Sequence, residues 1–419
     1  MSSAPRVPAL APFEVRSFRF QWPADLATSW AFEMETLILG WYVLVETRSV
    51  LMLTVFASLL YVGTLLAPMF GVVGDRIGHR YLLCAMRAVY ATCAATLMVF
   101  ALTGLLTPVH VLAITAITGL VRPSDIGMRA ALVGEIMPPG RLMGAMSIQR
   151  TTQDSARIAG ALTGAGLVAA LGMGPAYAVV AGLYGVSIAL TLKAGSAHVP
   201  FAPRGVAVAA PASPWRDLKE GLAYVWNTPH LLAMMLLAFL LNLTAFPQYN
   251  GLLPVMAKEI YRTDQTGLGY MVAGAAFGAL MGSILLSRIG HAVRPGRMMI
   301  VFSMLWYAML LAFAHTPHPY VGIPLLTLAG IAQSMSMVTM SALLLRTSDE
   351  QFRGRIMGIR MLAIYGNLPG LLLGGLLIGH YGYHATATLY CIVGLAFTLL
   401  IVLRWRAQLW RLDALANTR

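Results

Sequence analysis

The stretch "GVVGDRIGHR", residues 71–80, decides how the rest of the chain is read. Within ten residues it sets Asp75, Arg76, His79 and Arg80 among Gly71, Gly74 and Gly78. Apolar runs near 50–72 and 82–106 bracket it, and runs of about 20 residues are long enough to cross a bilayer as helices. A short, charged, glycine-punctuated interval between two such runs predicts a tight helix–loop–helix turn at a membrane surface. Glycine supplies the backbone freedom that turn needs. Asp75 can sit against a helix N-terminus, and the arginines can bridge to acids or lipid phosphates.

Working outward, the same pattern of apolar run and breaker fills the chain. Of its 419 residues 58% are hydrophobic and only 11% charged, with a mean hydropathy of +0.73; a soluble chain of this size would hold about 25% charged residues. Spans are expected near 20–46, 50–72, 82–106, 108–128, 144–171, 175–193, 229–256, 266–287, 298–315, 320–345, 356–379 and 384–404. A transmembrane β-barrel would show short alternating segments instead. Cys84, Cys93 and Cys391 all fall within apolar spans, so neither a disulfide framework nor a CxxC metal site follows. The first 20 residues lack an apolar core followed by a cleavage site, and the first span is expected to direct insertion itself.

The formal net charge of +13 has a topological explanation. With both termini in the cytoplasm, 25 of the 29 Lys and Arg fall on cytoplasmic segments and adjoining helix ends. Only Arg48, Lys258 and Arg262 fall outside, and Arg157 lies within a span. This is the positive-inside bias, and nucleic acid is not an expected partner. A polar, Pro-rich stretch at 195–226 separates a first six-span bundle (1–194) from a second (227–419) and reads as a cytoplasmic linker. The halves also repeat. "GRLMG" at 140–144 returns as "GRIMG" at 354–358, and "LTGAGLVAALG" at 162–172 is echoed by "LLGGLLIGHYG" at 372–382. Span 5 therefore corresponds to span 11, as in parallel six-helix repeats. The expected fold is an all-α membrane protein of twelve transmembrane helices in two pseudo-symmetric six-helix bundles.

Residues 71–80 resemble the loop signature of the major facilitator superfamily, Gly-x-x-x-Asp-Arg-x-Gly-Arg-Arg/Lys. Gly71, Asp75, Arg76, Gly78 and Arg80 match, and His79 stands where a basic residue is usual. The resemblance implies that this cluster latches the cytoplasmic face in the outward-open state. The matching loop of the second half, "SRIGHAVRPGR" at 287–297, lacks the acid. The chain further resembles the drug-efflux and secretion-effector branch, through "FRFQW…LGWYVLVETRS" at 18–49, "RAALVGEIMP" at 129–138, "ARIAGALTG" at 156–164 and "LRTSDEQFRGRIMG" at 345–358. It departs from the antiporter signature Gly-Pro-x-x-Gly-Gly, reading Gly160-Ala161-Leu162-Thr163-Gly164-Ala165. The glycines that remain still permit close helix packing.

Charged residues within spans are the candidates for coupling chemistry. Glu33 and Glu35 lie in "WAFEMETLILGW", 30–41, and an intramembrane ionisable group is a functional candidate by default. Two residues apart on a helix, they are separated by about 200° and cannot face one cavity. One is expected to face the central path, the other a neighbouring helix or Arg157. Asp25, nearer the cytoplasmic mouth, is a weaker candidate for the same proton coupling. Asp154 with Arg157, and Arg122 with Asp125, have the three-residue spacing of intramembrane ion pairs, for which static helix orientation is the simpler account.

Asn242, Gln248 and Tyr249 in span 7, with Gln333, Ser334 and Ser336 in span 10, are the expected substrate-cavity residues. Met-rich span 10 suits variable apolar shapes. His380 and His384 have a helical metal-ligand spacing without a third ligand, and they read with His315 and His318 as surface histidines. No cofactor and no metal is expected. The resulting expectation is a proton-antiporting exporter of small amphipathic compounds (drug, macrolide or siderophore-like) in a bacterial inner membrane. Its partners are a small-molecule substrate, protons and the lipid bilayer, and the chain is read as a monomer. A facilitator or importer without proton coupling is the alternative. An ATP-driven pump needs a P-loop Gly-Lys, but Lys193, Lys219 and Lys258 follow Leu, Leu and Ala. An enzyme is not expected, since no HExxH, Cys/His cluster or sizeable soluble domain is present.

Overall fold

The computed structural model describes residues 11–194, 214–289, 294–349, 352, 356, 359–360 and 362–416. Among them every regular element is helical. The first elements are α1 (Arg16–Thr47), α2 (Val50–Leu59), α3 (Ala67–Ile77), α4 (His79–Thr103), α5 (Pro108–Ile136), α6 (Pro139–Leu171) and α7 (Met173–Lys193). They continue with α8 (Pro214–Asn227), α9 (Pro229–Leu240), the single turn α10 (Leu253–Val255), α11 (Gln265–Ile289), α12 (Pro295–Ala314), α13 (Pro319–Thr347) and α14 (Asn367–Ala416).

Eight helical stretches among the described residues are long and apolar enough to cross a membrane. The other expected spans show why length and hydropathy alone miss them. α1 and α6 carry Asp25, Glu33, Glu35, Asp154 and Arg157 within their lengths. The second span is divided into α2, a 3-10 turn over Val62–Leu66 and α3, which starts beside Pro68. α14 counts as one stretch but breaks at Gly382, whose φ of 80° is open to glycine without strain. The second half of the stretch expected as a linker contains α8.

Turns fall where the sequence supplies their chemistry. Gly78 has φ 90° between α3 and α4, the turn anticipated from "GVVGDRIGHR". Thr107 caps α5 by accepting a hydrogen bond from the His110 amide at 3.4 Å. The seventh span is irregular: π-helical turns cover Leu241–Ala245, Pro247–Gly251 and Met256–Ile260. Pro247 has no amide hydrogen to complete a regular helical ladder there.

The chain divides into two compact units, Met1–Arg48 with Leu59–Arg204, and Ser49–Ser58 with Gly205–Arg419. In the first, α1 packs on α5, α6 and α7, and α4 packs on α5 and α7. Gly160 and Gly164 of α6 bring α1 close: an added Cβ at Gly160 would press on the Glu33 Cβ, and one at Gly164 on Met34. In the second, α13 packs on α11 and α12, and α14 on α9 and α12. Gly278 lies against the Thr327 carbonyl and Gly330 against that of Ala275, so α11 and α13 meet backbone to backbone.

Candidate functional site

Among the described residues the N-terminal unit buries five charged side chains: Asp25, Glu35, Arg87, Asp125 and Arg129. Four form a chain of alternating charge across three helices. Asp25 of α1 pairs with Arg87 of α4 and lies 3.8 Å from Arg129 of α5. Arg129 in turn meets Asp125, one turn earlier on α5, at 2.5 Å. Gln21 donates to Asp25 at 2.7 Å, and Arg129 also donates to Ser29 Oγ at 2.7 Å. Arg87 donates to Thr191 of α7. A charge removed from water needs such a partner, and the two acids balance the two guanidiniums.

Glu35 stands apart from this network. It lies ten residues beyond Asp25 on α1, about 15 Å along the axis, and only 8% of its surface is exposed. The Tyr184 hydroxyl of α7 donates to its carboxylate. Phe32, one turn back, packs edge-on against Tyr90 and Tyr184 at 4.8 and 5.8 Å. Arg122 sits over the Phe32 ring at 4.5 Å and donates to Thr36 Oγ1 at 2.9 Å. It is also the positive charge acting on Glu35. Glu35 is thus held by one phenol, with the charge of Arg122 acting on it from α5.

The remaining candidates are placed as follows. Glu33 is half-buried, with its Cβ beside Gly160 of α6, so the two span-1 glutamates address different helices. Asp125 takes Arg129 as its partner, whereas Arg122 turns to Phe32 and Thr36. An i,i+4 spacing brings two helical side chains together as readily as i,i+3, and Arg129 won that competition. The Asp154 carboxylate lies 3.6 Å from Arg150, again one turn away, and Arg157 is half-buried on the same helix. Residues 71–80, expected as a loop, are the end of α3 and the start of α4 on either side of Gly78; there Arg76 is exposed and Arg80 lies over the Tyr81 ring at 5.3 Å. His79 meets Glu135 of α5 at 2.5 Å. Gly71 has open space around it, and the side chain of Asp75 lies outside the described residues.

Of the residues expected to line a cavity, several are spent on helix contacts inside the C-terminal unit. Tyr249 donates to the Ala275 carbonyl at 2.8 Å and packs on Trp306. Ser334 bonds Ser283 at 2.8 Å, and Ser336 bonds Ser303 at 2.6 Å. Asn242 and Gln248 donate back to Ala238 and Thr244 along their own helix. Gln333 is 9% exposed. His315 and His384 stack in parallel with centroids 5.7 Å apart, and no group of three metal-ligating side chains occurs among the described residues.

Arg87 and Arg129 were missed as site residues because, by position, they passed for positive-inside charges near helix ends. The available signal was depth: Arg87 lies in the third turn of α4, where an arginine must find an acid inside the bundle.

The Major Facilitator Superfamily model matches residues 26–366, with a second match over 249–413. Enterobactin exporter EntS of Escherichia coli O1:K1 is 24% identical over 169 residues, 40% of this chain and 39% of EntS. EntS of Escherichia coli O127:H6 matches to the same extent, so the similarity spans 39% of these curated relatives' length. Among solved structures, the POT family transporter PepTSo superposes with a TM-score of 0.76 at 12% identity, covering 94% of this chain and 98% of that one. A D-xylose-proton symporter gives a TM-score of 0.70 at 12% identity, with 92% and 97% covered. At such identities these structures show a shared fold. An all-helical, multi-pass chain that matches the family model over most of its length belongs to the Major Facilitator Superfamily, a family of transporters rather than enzymes.

Proposed function

We propose that this transporter exports small amphipathic organic compounds, of drug, macrolide or siderophore-like chemistry, across a bacterial inner membrane in exchange for protons. The observation that carries the reading is Glu35: a buried carboxylate in the middle third of α1, held by Tyr184 and facing one cation, Arg122. The charge of a carboxyl in such a place depends on the groups around it. Small displacements between Glu35 and Arg122 therefore convert helix movement into proton uptake or release. Glu33, half-buried beside α6, is the second candidate; Asp25, neutralised by two arginines, is the weakest of the three.

Outward transport is the direction suggested by the distant exporter relatives and by the efflux-branch resemblance of the first, fourth and fifth spans. The six-plus-six arrangement of 1–194 and 227–419 around the 195–226 connection supplies alternating access in this reading. The loop with Gly71, Asp75, Arg76, Gly78 and Arg80 acts as its cytoplasmic latch. Asn242, Gln248 and Gln333 are the proposed amide contacts to the polar part of the substrate, and one chain is the working unit.

The test uses inside-out vesicles loaded with a pH dye and offered macrolides, cationic drugs and siderophores. Wild-type protein should dissipate the gradient with at least one compound, and Glu35→Gln should insert normally but move none of those protons. Transport of a compound with no proton movement in any variant would assign a facilitator instead.

A further inference from the structure

The stretch "PWRDLKEGLAYVWN", residues 214–227, forms α8 just ahead of the seventh span. Its charged residues, Arg216, Asp217, Lys219 and Glu220, cancel in sum, and Leu218, Leu222 and Trp226 recur at the four-residue spacing of one helical face. From Lys219 onward the structure shows how each face is used. Gly221 and Val225, one turn apart, are buried, and α8 packs on α9. Tyr224 stacks on Phe352 with ring centroids 4.3 Å apart, and its hydroxyl accepts from the Asp349 amide at 3.3 Å. These contacts fix the roll of the helix.

The remaining apolar face is the unexplained one. Leu222 is 46% exposed and Trp226 74%. Four residues apart, they share a stripe, turned about 100° from Val225 and about 160° from Tyr224. Exposed Glu220 and Asn227 lie on the polar side. Exposed Lys219 stands at the edge of the stripe, a place from which a long ammonium side chain reaches headgroup phosphates. A leucine and an indole exposed side by side mark a binding surface, and their position says what covers them. Thr228 is the one residue between α8 and α9, and its extended backbone (φ −112°, ψ 96°), favoured before proline, keeps the two helices separate. With α9 begins a stretch, Pro229–Gly251, long and apolar enough to cross a membrane. The stripe of α8 therefore ends where hydrocarbon begins. Tryptophan is enriched at that boundary, because its ring is apolar and its N–H polar.

We infer that α8 is an interfacial helix, lying in the bilayer surface with Leu222 and Trp226 set between the headgroups and the acyl chains. The occupant of the exposed stripe is lipid. Amphipathic helices of this kind bind by apolar burial, with charge adding to it where the lipid is anionic. Here two cations and two anions cancel, so apolar insertion holds the helix and neutral lipid suffices. Through Tyr224 the same helix ties Asp349 and Phe352, just beyond α13, to the membrane surface. In the proposed topology the leaflet is the cytoplasmic one; the insertion itself is independent of that topology and of the direction of transport.

The test is spin labelling of the full-length protein in phosphatidylcholine nanodiscs. Single labels are placed through Leu222→Cys, Trp226→Cys, Glu220→Cys and Asn227→Cys, each in a chain whose Cys84, Cys93 and Cys391 are replaced by Ala. Collisions with oxygen, which concentrates among acyl chains, are compared with those of a water-soluble nickel chelate. Labels at 222 and 226 should favour oxygen several-fold over labels at 220 and 227, and report a depth of about 5–10 Å into the headgroup–acyl boundary. Equal nickel collisions at all four positions put the stripe in water and overturn the inference. Few collisions with either reagent at 222 and 226 mean that protein covers them, which overturns it too. So does insertion that appears only when phosphatidylglycerol is added. The unlabelled protein supplies a second reading. The emission that disappears in Trp226→Phe should be emission that dibrominated lipid quenches in the wild type, and a component that lipid leaves unquenched overturns the inference.

Discussion

The two units of this chain bury different kinds of polarity. In the N-terminal unit the interior holds Asp25, Glu35, Arg87, Asp125 and Arg129, while every buried polar side chain described in the C-terminal unit is neutral. There, helices are tied by hydroxyls, amides and close glycine contacts: Ser303 to Ser336, Ser283 to Ser334, Tyr249 to the Ala275 carbonyl, Gly278 against Thr327. Sequence repeats relate the halves, so the difference is one of side chains on a shared plan. A neutral interior orders helices and cannot respond to a proton. A charged one can, and the five buried charged side chains described in the N-terminal unit are the groups on which the proposed proton coupling rests.

The comparison can be broken most sharply at Glu35. Glu35→Gln is expected to remove proton movement entirely in the vesicle assay, whereas Gln248→Glu variants of the C-terminal unit should not restore it. Recovery by the latter would show that location does not matter.

Arg87→Met comes next. It leaves Asp25 with Arg129 as its remaining cation and should cost about 3–5 kcal/mol of stability, the usual penalty for breaking a buried pair. Asp25→Leu combined with Arg87→Met should regain most of that loss, because Arg129 keeps Asp125. Thermal unfolding in detergent reads both, and a double variant as unstable as the single one would mean the network is more than paired charges.

In the C-terminal unit the effects should be smaller. Tyr249→Phe removes one interhelical hydrogen bond and should lower stability by about 0.6–1.7 kcal/mol, without changing proton movement. Ser303→Ala with Ser336→Ala removes both partners of a neutral bond and should be close to silent, within about 0.5 kcal/mol. A proton-coupling defect in either would show that the two halves are less distinct than their buried groups suggest.

Much of the architecture was legible because it follows from local rules. Apolar runs and glycine-bearing turns mark spans, and Gly78 carries the positive φ that the 71–80 loop calls for. Where helices are polar or broken, as in α1, α6, the α2–α3 span and α14 at Gly382, hydropathy weakens as a marker and register with the repeat has to carry the reading. The site was legible in part. Glu35 stood out as an acid within a span, but its partner Tyr184 lies 149 residues away, and nothing local pairs them.

By itself, then, the amino-acid sequence determined the membrane class, the positions of the spans and the presence of charges where lipid does not tolerate them alone. Those properties depend on composition and periodicity along one helix at a time. The tertiary structure decided the partners: Arg129 rather than Arg122 for Asp125, Arg87 for Asp25, Tyr184 for Glu35, and helix-to-helix bonds for Tyr249, Ser334 and Ser336. Helical periodicity fixes which face a side chain occupies. Which helix meets that face depends on the packing of whole helices, and only there does a buried charge find the group that neutralises it.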